Sequence, residues 1–284
     1  MRIHSLLLAA TAASLLSIGS AQAAQIMPSF AGAPGGWSVD RYPSGVFQDT
    51  GAIAGRANVI EIGINHAGDL LNRPAAYQSD FYNTQGMTIP TPGGAGDSLS
   101  AGLYVASSWL NSGGGYIRSD LWAFMNDPTA SPDPHQYGII GFTNYGGAAR
   151  FRVWDADTSG GWVDLGTSIL SDAWNDFSIS LNGAGTALDY YINNSLVYTD
   201  GTISGVTGFD KGALQAYNFN SPSLGLTSNP DYTAYWSNKP ITTMPVDDAP
   251  TLPVIAAGLV GLLGFAFMRR RREDSGLTNL VSAA

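Results

Sequence analysis

The 284-residue chain contains no cysteine, and charged residues make up only 12% of it. The absence of cysteine excludes disulfide crosslinks, thiolate metal sites and a cysteine nucleophile. Glutamate occurs only at Glu61 and Glu273, and lysine only at Lys211 and Lys239. Because these residues favour helices, their scarcity argues against long helices, and the 35 glycines predict many turns.

The charge is distributed unevenly along the chain. The whole chain has a net charge of −9, but residues 25–268 contain eight basic and 20 acidic residues, a net charge of −12. An acidic body of this kind excludes a nucleic-acid partner, because phosphate binding requires a basic face.

The N-terminal residues 1–24 have the pattern of an export signal. Basic Arg2 is followed by an apolar stretch that begins at Leu6, and the segment closes with Ala21-Gln22-Ala23. A basic start, a short apolar region and a small-residue cleavage site are typical of a signal peptide. We therefore expect the protein to be exported.

The C-terminal segment has the pattern of a membrane anchor. Residues 252–268 carry no charge, and four arginines follow at once, Arg269, Arg270, Arg271 and Arg272. Seventeen residues is near the lower limit for a membrane-spanning helix, and the arginines place the tail in the cytoplasm. A buried core helix is the alternative. The expected order is a signal peptide (1–24), an exported domain (25–240), a linker (241–251), a transmembrane helix (252–268) and a basic cytoplasmic tail (269–284).

The linker, helix and arginines together resemble a known sorting segment. The sequence around Pro250 and Pro253, the apolar helix and Arg269–Arg272 are similar to the tripartite C-terminus of bacterial PEP-CTERM and VPLPA-CTERM proteins. In that family an exosortase-type membrane enzyme cleaves near the proline signature, and many members are associated with exopolysaccharide. The resemblance implies an exosortase partner, and a location at the inner membrane or, after processing, at the cell surface or outside the cell.

Between these segments, hydrophobic residues alternate with a period of two. In Trp174–Asn182, for example, Phe177, Ile179 and Leu181 share one face, which indicates a half-buried antiparallel strand. Residues 188–192 and 195–198 predict a β-hairpin, because Asn193 and Asn194 tolerate the positive φ angles of a tight turn. Further strands are predicted at 59–64, 99–105, 137–142, 150–154, 214–219 and 233–236. Many short strands predict an all-β fold, a single antiparallel β-sandwich.

The strand that begins at Trp174 and the hairpin at 190–198 resemble the corresponding segment of concanavalin A-like and laminin G-like domains. This resemblance implies a jelly roll, with two curved antiparallel sheets whose concave face often binds saccharide.

Enzymatic activity is not predicted. Retaining glycosidases need two carboxyl groups about 5–5.5 Å apart, and the exported domain has only one glutamate, Glu61. An aspartate pair is the alternative. His66 and His135 stand in no metal-ligand spacing, and no G-x-S-x-G motif occurs.

A calcium site is suggested by one loop. Asp155, Asp157 and Ser159 place oxygen donors at alternate positions before Gly160, which approximates the first half of a calcium-binding loop. Asp164 becomes a fourth donor if the turn folds back. Alternatively, the aspartates are simply turn residues of a hairpin.

Aromatic residues are the remaining candidates for ligand binding. The chain has seven tryptophans and 13 tyrosines, and exposed rings can stack on the C–H faces of sugars. Five candidates lie near turn-rich segments: Trp109, Tyr116, Trp122, Tyr145 and Trp162. The alternative is that such rings belong to the core.

Together these features predict a non-enzymatic protein of the bacterial surface or matrix that binds or organises extracellular polysaccharide. A structural component without a small ligand, and a glycoside hydrolase-like enzyme, are the alternative hypotheses.

Overall fold

The computed structural model describes residues 24–77, 83–111, 113, 115–128, 135–219 and 229–238. The predicted signal peptide apart from Ala24, the linker with Pro250 and Pro253, the transmembrane helix, and the tail with Arg269–Arg272 lie outside these residues. Contacts divide the chain into two units, Met1–Ile241 and Thr242–Ala284. Among the helices of the described ranges, none combines the length and hydropathy needed to cross a membrane.

The described residues form strands and very little helix. One α-helix, α1, covers His66–Asn72, and 3-10 helices cover Ala75–Tyr77 and Ser107–Leu110. The strands are β1 (Gln25–Ile26), β2 (Ser38–Asp40), β3 (Val46–Asp49), β4 (Val59–Ile64), β5 (Thr84–Gly94), β6 (Ser98–Val105), β7 (Arg118–Asn126), β8 (His135–Thr143), β9 (Arg150–Trp154), β10 (Trp162–Leu165), β11 (Ala173–Leu181), β12 (Leu188–Ile192), β13 (Ser195–Asp200), β14 (Gly208–Tyr217) and β15 (Tyr232–Ser237).

These strands form two sheets. The eight-stranded sheet has the order β13-β12-β11-β6-β15-β4-β3, with β1 pairing alongside β6. The seven-stranded sheet has the order β10-β9-β8-β7-β14-β5-β2. All pairings within the main orders are antiparallel, and only β1 pairs in parallel with β6. The prediction of an all-β, antiparallel fold is therefore confirmed.

The alternating side chains explain how the two sheets pack. Phe177, Ile179 and Leu181 of the eight-stranded sheet are fully buried, as are Phe151 and Val153 of the seven-stranded sheet. Phe151 and Phe177 meet edge to face across the interface, with ring centroids 5.2 Å apart. One face of each sheet thus forms the core, and the residues between the core positions form an outer face on each sheet.

The predicted hairpin has the expected turn. β12 and β13 pair directly, with Ile192 opposite Ser195, and Asn193 and Asn194 between them have φ angles of 51° and 67°. Asparagine tolerates this left-handed conformation better than most residues, which is why two asparagines close this hairpin.

Candidate functional site

The outer face of the seven-stranded sheet carries a row of large side chains. Strand register places Trp122 opposite Ile139, Ile139 opposite Trp154, and Trp154 opposite Trp162, so the row crosses β7, β8, β9 and β10. The three indole rings are half-buried. Trp154 and Trp162 meet edge to face, with ring centroids 5.1 Å apart. We call Trp122, Ile139, Trp154 and Trp162 the tryptophan row.

A groove of about 200 Å³ lies over this row. Tyr137 forms one side of it and stacks on Trp122, with ring centroids 5.5 Å apart. Tyr217, Thr84 and Arg118 form the other side. The groove is therefore floored by aromatic rings and bordered by polar groups, which is the usual composition of a small-molecule binding site.

A polar row runs next to the tryptophan row. In register across all seven strands lie Asp40, Gly86, Gln215, Asp120, Gly141, Arg152 and Asp164. The two glycines are needed for space. A Cβ on Gly141 would overlap Oδ1 of Asp120 and the carbonyl oxygen of Ser119, and a Cβ on Gly86 would overlap the carbonyl oxygen of Leu214.

Two arginines reach the same indole ring. The guanidinium of Arg118 lies 4.5 Å from the Trp162 ring centroid and 5.0 Å from the Tyr217 centroid, and its Nε donates to Asp120 at 2.6 Å. The guanidinium of Arg152 lies 3.8 Å from the Trp162 centroid. Burial, together with repulsion from Arg118 and Arg150, lowers the pKa of Arg152 to about 10.

The aspartates on this part of the face already form ion pairs with arginines. Asp120 pairs with Arg118, and Asp164 forms an ion pair with Arg150, whose Nε lies 2.7 Å from Asp164 Oδ1. Within the described residues, Arg152 has no carboxylate oxygen within 4.0 Å of its nitrogens. Three arginines therefore share two carboxylates, and although Asp120 and Asp164 attract Arg152, neither forms an ion pair with it.

Several buried polar atoms on this face have no hydrogen-bond partner within the described part of the chain. They are Thr84 Oγ1, Asp120 Oδ1, Trp122 Nε1, Arg152 Nε and Gln215 Oε1. Buried polar groups are nearly always hydrogen-bonded in folded proteins, because leaving one unpaired costs about 1–3 kcal/mol. Thr84 and Trp122 line the groove itself, whereas Asp120, Arg152 and Gln215 lie in the polar row beside it.

The far edge of the face is closed by Asp40 and Arg41. Arg41 donates to its neighbour Asp40 at 2.7 Å and lies 5.6 Å from the Trp122 ring centroid. Gln215 also donates to Asp40, at 2.6 Å. The Asp40–Arg41 pair therefore lies beside Trp122. The local sequence around these two residues does not indicate this position.

Of the five aromatic residues predicted to bind a ligand, two line the groove and three do not. Trp122 and Trp162 line the groove, although Trp122 lies in the middle of β7 and not near a turn. Trp109 is only 5% exposed and packs against Phe142 and Tyr232. Its assignment to a ligand-binding surface is wrong, because the 3-10 helix at Ser107–Leu110 turns it into the core.

Tyr116 and Tyr145 form a separate cluster beside the groove. Their rings meet edge to face at 5.1 Å, and Tyr145 packs on Phe219 at 4.9 Å. Phe219 in turn contacts Tyr217 at 4.4 Å. Neither predicted tyrosine lines the groove itself.

Sequence reasoning missed Trp154, Tyr137 and Tyr217. A usable signal existed in β9, where Phe151 and Val153 alternate with Arg150, Arg152 and Trp154. A tryptophan on the arginine-bearing side of an alternating strand has to lie on the outer face.

The predicted metal ligands are only partly brought together. Carboxylate oxygens of Asp155, Asp157 and Asp200 lie within 4.8 Å of one another. Asp164 is not in this group and pairs instead with Arg150, while Ser159 is exposed in the turn. Asp155 already accepts from the Asp157 backbone N–H at 2.9 Å and from the Tyr198 hydroxyl at 2.5 Å. That second bond raises the pKa of Tyr198 to about 12.

The remaining candidates lie elsewhere. Glu61 is on the outer face of the eight-stranded sheet, where it accepts from Gln48 at 2.5 Å. His66 is fully buried at the start of α1, where its Nδ1 lies 2.9 Å from Asn218 Oδ1 and its Nε2 lies 2.8 Å from Asn229 Nδ2. His135 begins β8.

The fold and this face define the molecule as a two-sheet antiparallel β-sandwich with an aromatic, arginine-bordered groove on one outer surface. No family model and no curated protein matches the sequence. The chain is similar in fold to a Bacillus licheniformis β-glucanase (TM-score 0.41, 12% identity, 73% of this chain and 94% of that chain). It is similar to a carbohydrate-binding module from Bacillus subtilis (TM-score 0.38, 13% identity, 72% and 92%). It is also similar to a sialidase (TM-score 0.41, 10% identity, 72% of this chain), of whose length the match spans 16%.

Proposed function

We propose that this protein is an exported, non-enzymatic polysaccharide-binding protein and that the groove over the tryptophan row is its binding surface. The observation that carries the proposal is the row itself, in which Trp122, Trp154 and Trp162 lie side by side on an outer sheet face with part of each ring exposed.

Aromatic rings suit a sugar ligand for a physical reason. A pyranose ring has an apolar face of C–H groups, which packs on an indole, and a rim of hydroxyl groups, which needs hydrogen bonds. The tryptophan row offers the first kind of contact. The unpartnered atoms of Thr84 and Trp122, which line the groove, offer hydrogen-bonding groups for the second.

The aspartates of the polar row are each paired with an arginine, Asp40 with Arg41 among them, and this supports binding without cleavage. Glycoside hydrolysis needs one carboxyl group that delivers a proton to the leaving oxygen. On the groove face, Asp120 and Asp164 are each held by an arginine, and Glu61 lies on the outer face of the other sheet. An aspartate-based glycosidase remains the second hypothesis, and release of reducing ends would reveal it.

We also propose the finer features expected from the sequence. These are a concanavalin A-like jelly-roll topology, a cleaved signal peptide at 1–24, and retention or processing at the C-terminal segment 250–272 by an exosortase-type enzyme. The supporting patterns are the apolar stretch at 252–268 and the arginines that follow it. Membrane fractionation and terminal sequencing of the mature protein, with Arg269–Arg272 replaced by serine as a comparison, test this part.

A binding experiment tests the proposed function. The full-length protein is titrated against a panel of neutral and acidic polysaccharides by affinity electrophoresis, with reducing ends assayed in parallel. We expect binding to at least one polysaccharide and no release of reducing ends. Binding to none would favour the alternative of a structural matrix component, and release of reducing ends would favour the glycosidase.

A further inference from the structure

Arg152 is an arginine of the groove face that has no carboxylate within ion-pair distance in the described part of the chain. Its neighbours Arg118 and Arg150 each hold an aspartate, and its own Nε is buried without an acceptor within the described part of the chain. A buried charge without a counter-charge is costly, because water stabilises an ion better than a protein interior does. The fold therefore supplies stacking on Trp162 for this guanidinium but no acceptor for its Nε.

The position of Arg152 directs it toward a ligand. It lies in the polar row directly beside the tryptophan row, one strand from Asp164 and one from Gly141. Its guanidinium lies over the Trp162 ring at 3.8 Å from the centroid, which holds a plane of donors beside the aromatic floor. A guanidinium presents its N–H groups in a fixed fork that matches the two oxygens of a carboxylate or a sulfate.

The other unpartnered atoms match hydroxyl groups and not a second charge. Asp120 Oδ1 and Gln215 Oε1 are acceptors, Trp122 Nε1 is a donor, and Thr84 Oγ1 can be either. A ligand in the groove that also reaches Arg152 carries one anionic group near that arginine and hydroxyl groups beside Thr84 and Trp122, which line the groove.

Building on the proposed function, we propose that the polysaccharide is acidic and that Arg152 binds the anionic substituent of one sugar residue. The acidic body, with its net charge of −12 over residues 25–268, does not prevent this. Most of those charges are screened beyond about 8 Å at physiological salt, whereas Arg152 acts at contact distance.

A pair of polymers with the same backbone tests the role of charge. Polygalacturonate carries a free carboxylate on each residue, and its methyl ester does not. We expect the full-length protein to bind polygalacturonate more tightly than the methyl ester. If the anionic group is instead a sulfate ester, carrageenan binds more tightly than unsulfated agarose. Equal affinity within both pairs would overturn the inference.

Substitution of Arg152 tests the residue. We expect Arg152→Gln to reduce affinity for the preferred acidic polymer about tenfold or more, with little change for its neutral counterpart. Arg152→Lys keeps the charge but loses the fork, so an intermediate loss is expected. Arg56→Gln is the matched control, because Arg56 also lies over a tryptophan, but on the other sheet. Circular dichroism checks that each variant is folded.

The outcomes separate this inference from the proposed function. Binding that is lost in Trp154→Ala but unaffected by Arg152→Gln would leave a polysaccharide-binding groove and reject the anionic contact. Failure to bind any polymer, charged or neutral, would reject both.

Discussion

The two outer faces of the sandwich each place an arginine over a tryptophan, yet the two pairs differ in their hydrogen bonds. On the eight-stranded sheet, Arg56 lies 4.6 Å from the Trp174 ring centroid and donates to both oxygens of Asp176, at 2.6 and 3.0 Å. The Trp174 Nε1 donates to the carbonyl oxygen of Ala54. On the seven-stranded sheet, Arg152 lies over Trp162 without a carboxylate partner within the described residues.

This difference separates a structural contact from a binding surface. The Arg56 pair ties the loop that contains Ala54 to β11, and its hydrogen bonds are made within the protein. Around Arg152 the same residue types leave polar atoms unpaired, as Trp122 Nε1 also shows. Residue type and stacking geometry are shared by both faces, so the unpaired atoms are what indicate a ligand.

The largest expected effect is on the stability of the protein when Arg56 or Arg152 is replaced by alanine. Arg56→Ala leaves Asp176 without its bidentate partner and should lower the free energy of unfolding by about 3 kcal/mol. Arg152→Ala removes no ion pair but does remove the stacking on Trp162, and should lower it by less, about 1 kcal/mol. Urea denaturation of both variants checks this. Equal losses would show that Arg152 is as structural as Arg56.

Two glycines under these groups provide a second test. A Cβ on Gly141 would overlap the backbone carbonyl oxygen of Ser119, which cannot move easily, so Gly141→Ala should cost about 2 kcal/mol. A Cβ on Gly102 would overlap Nη1 of Arg56 and Oδ1 of Asp176, which can move aside only by disturbing their ion pair, so Gly102→Ala should cost no more than Arg56→Ala. Unfolding midpoints at constant m-value give the comparison. A larger loss in Gly102→Ala than in Arg56→Ala would contradict it.

His66 gives a pH-dependent test of a satisfied buried group. Burial lowers its pKa from the ordinary value of 6.5. The unfolded chain therefore takes up a proton near pH 6.5 while the folded chain does not, so the free energy of unfolding falls as the pH drops from 6.5 toward the folded pKa.

The variant His66→Asn keeps a donor and an acceptor beside Asn218 and Asn229 but cannot titrate. Comparing wild type and variant at pH 7.5 and 5.0 cancels contributions from other groups, including Asp69, whose pKa burial raises. We expect wild type to lose more stability than the variant. Identical losses would contradict a neutral, buried His66.

The smallest expected effect concerns the group of Asp155, Asp157 and Asp200. Asp155 and Asp200 already accept hydrogen bonds from Tyr198 and Thr202, so this is a satisfied cluster like that of Arg56. We expect millimolar calcium to raise the thermal midpoint by less than about 1 °C. A rise of several degrees that Asp157→Asn abolishes would establish a calcium site.

Much of the fold could be predicted from the sequence, because strand alternation and turn chemistry are local. β4, β9 and the β12–β13 hairpin occur where the pattern placed them. α1 was missed because its segment, His66–Asn72, is short and glycine-containing. β5 was missed because Pro90 and Pro92 read as a turn, although proline is tolerated where its missing N–H is not needed.

The groove was predictable only in part, because its assembly depends on register between distant strands. The sequence identifies Trp122 and Trp162 as candidate ligand-binding residues. Their position beside Trp154 and Tyr217 depends on the strand order β10-β9-β8-β7-β14. Trp109 has the same local features as the groove tryptophans and is buried. Whether a ring faces the core or the groove is decided by packing that no short segment encodes.

Calorimetric titration of Trp154→Ala and Trp174→Ala with the polysaccharide that the wild-type protein binds tests the central claim most directly. Both rings are half-buried on outer sheet faces, but only Trp154 lines the groove. We expect Trp154→Ala to lose at least about tenfold in affinity, and Trp174→Ala to bind like wild type. Retained affinity in Trp154→Ala, or an equal loss in both variants, would contradict the assignment of the binding surface.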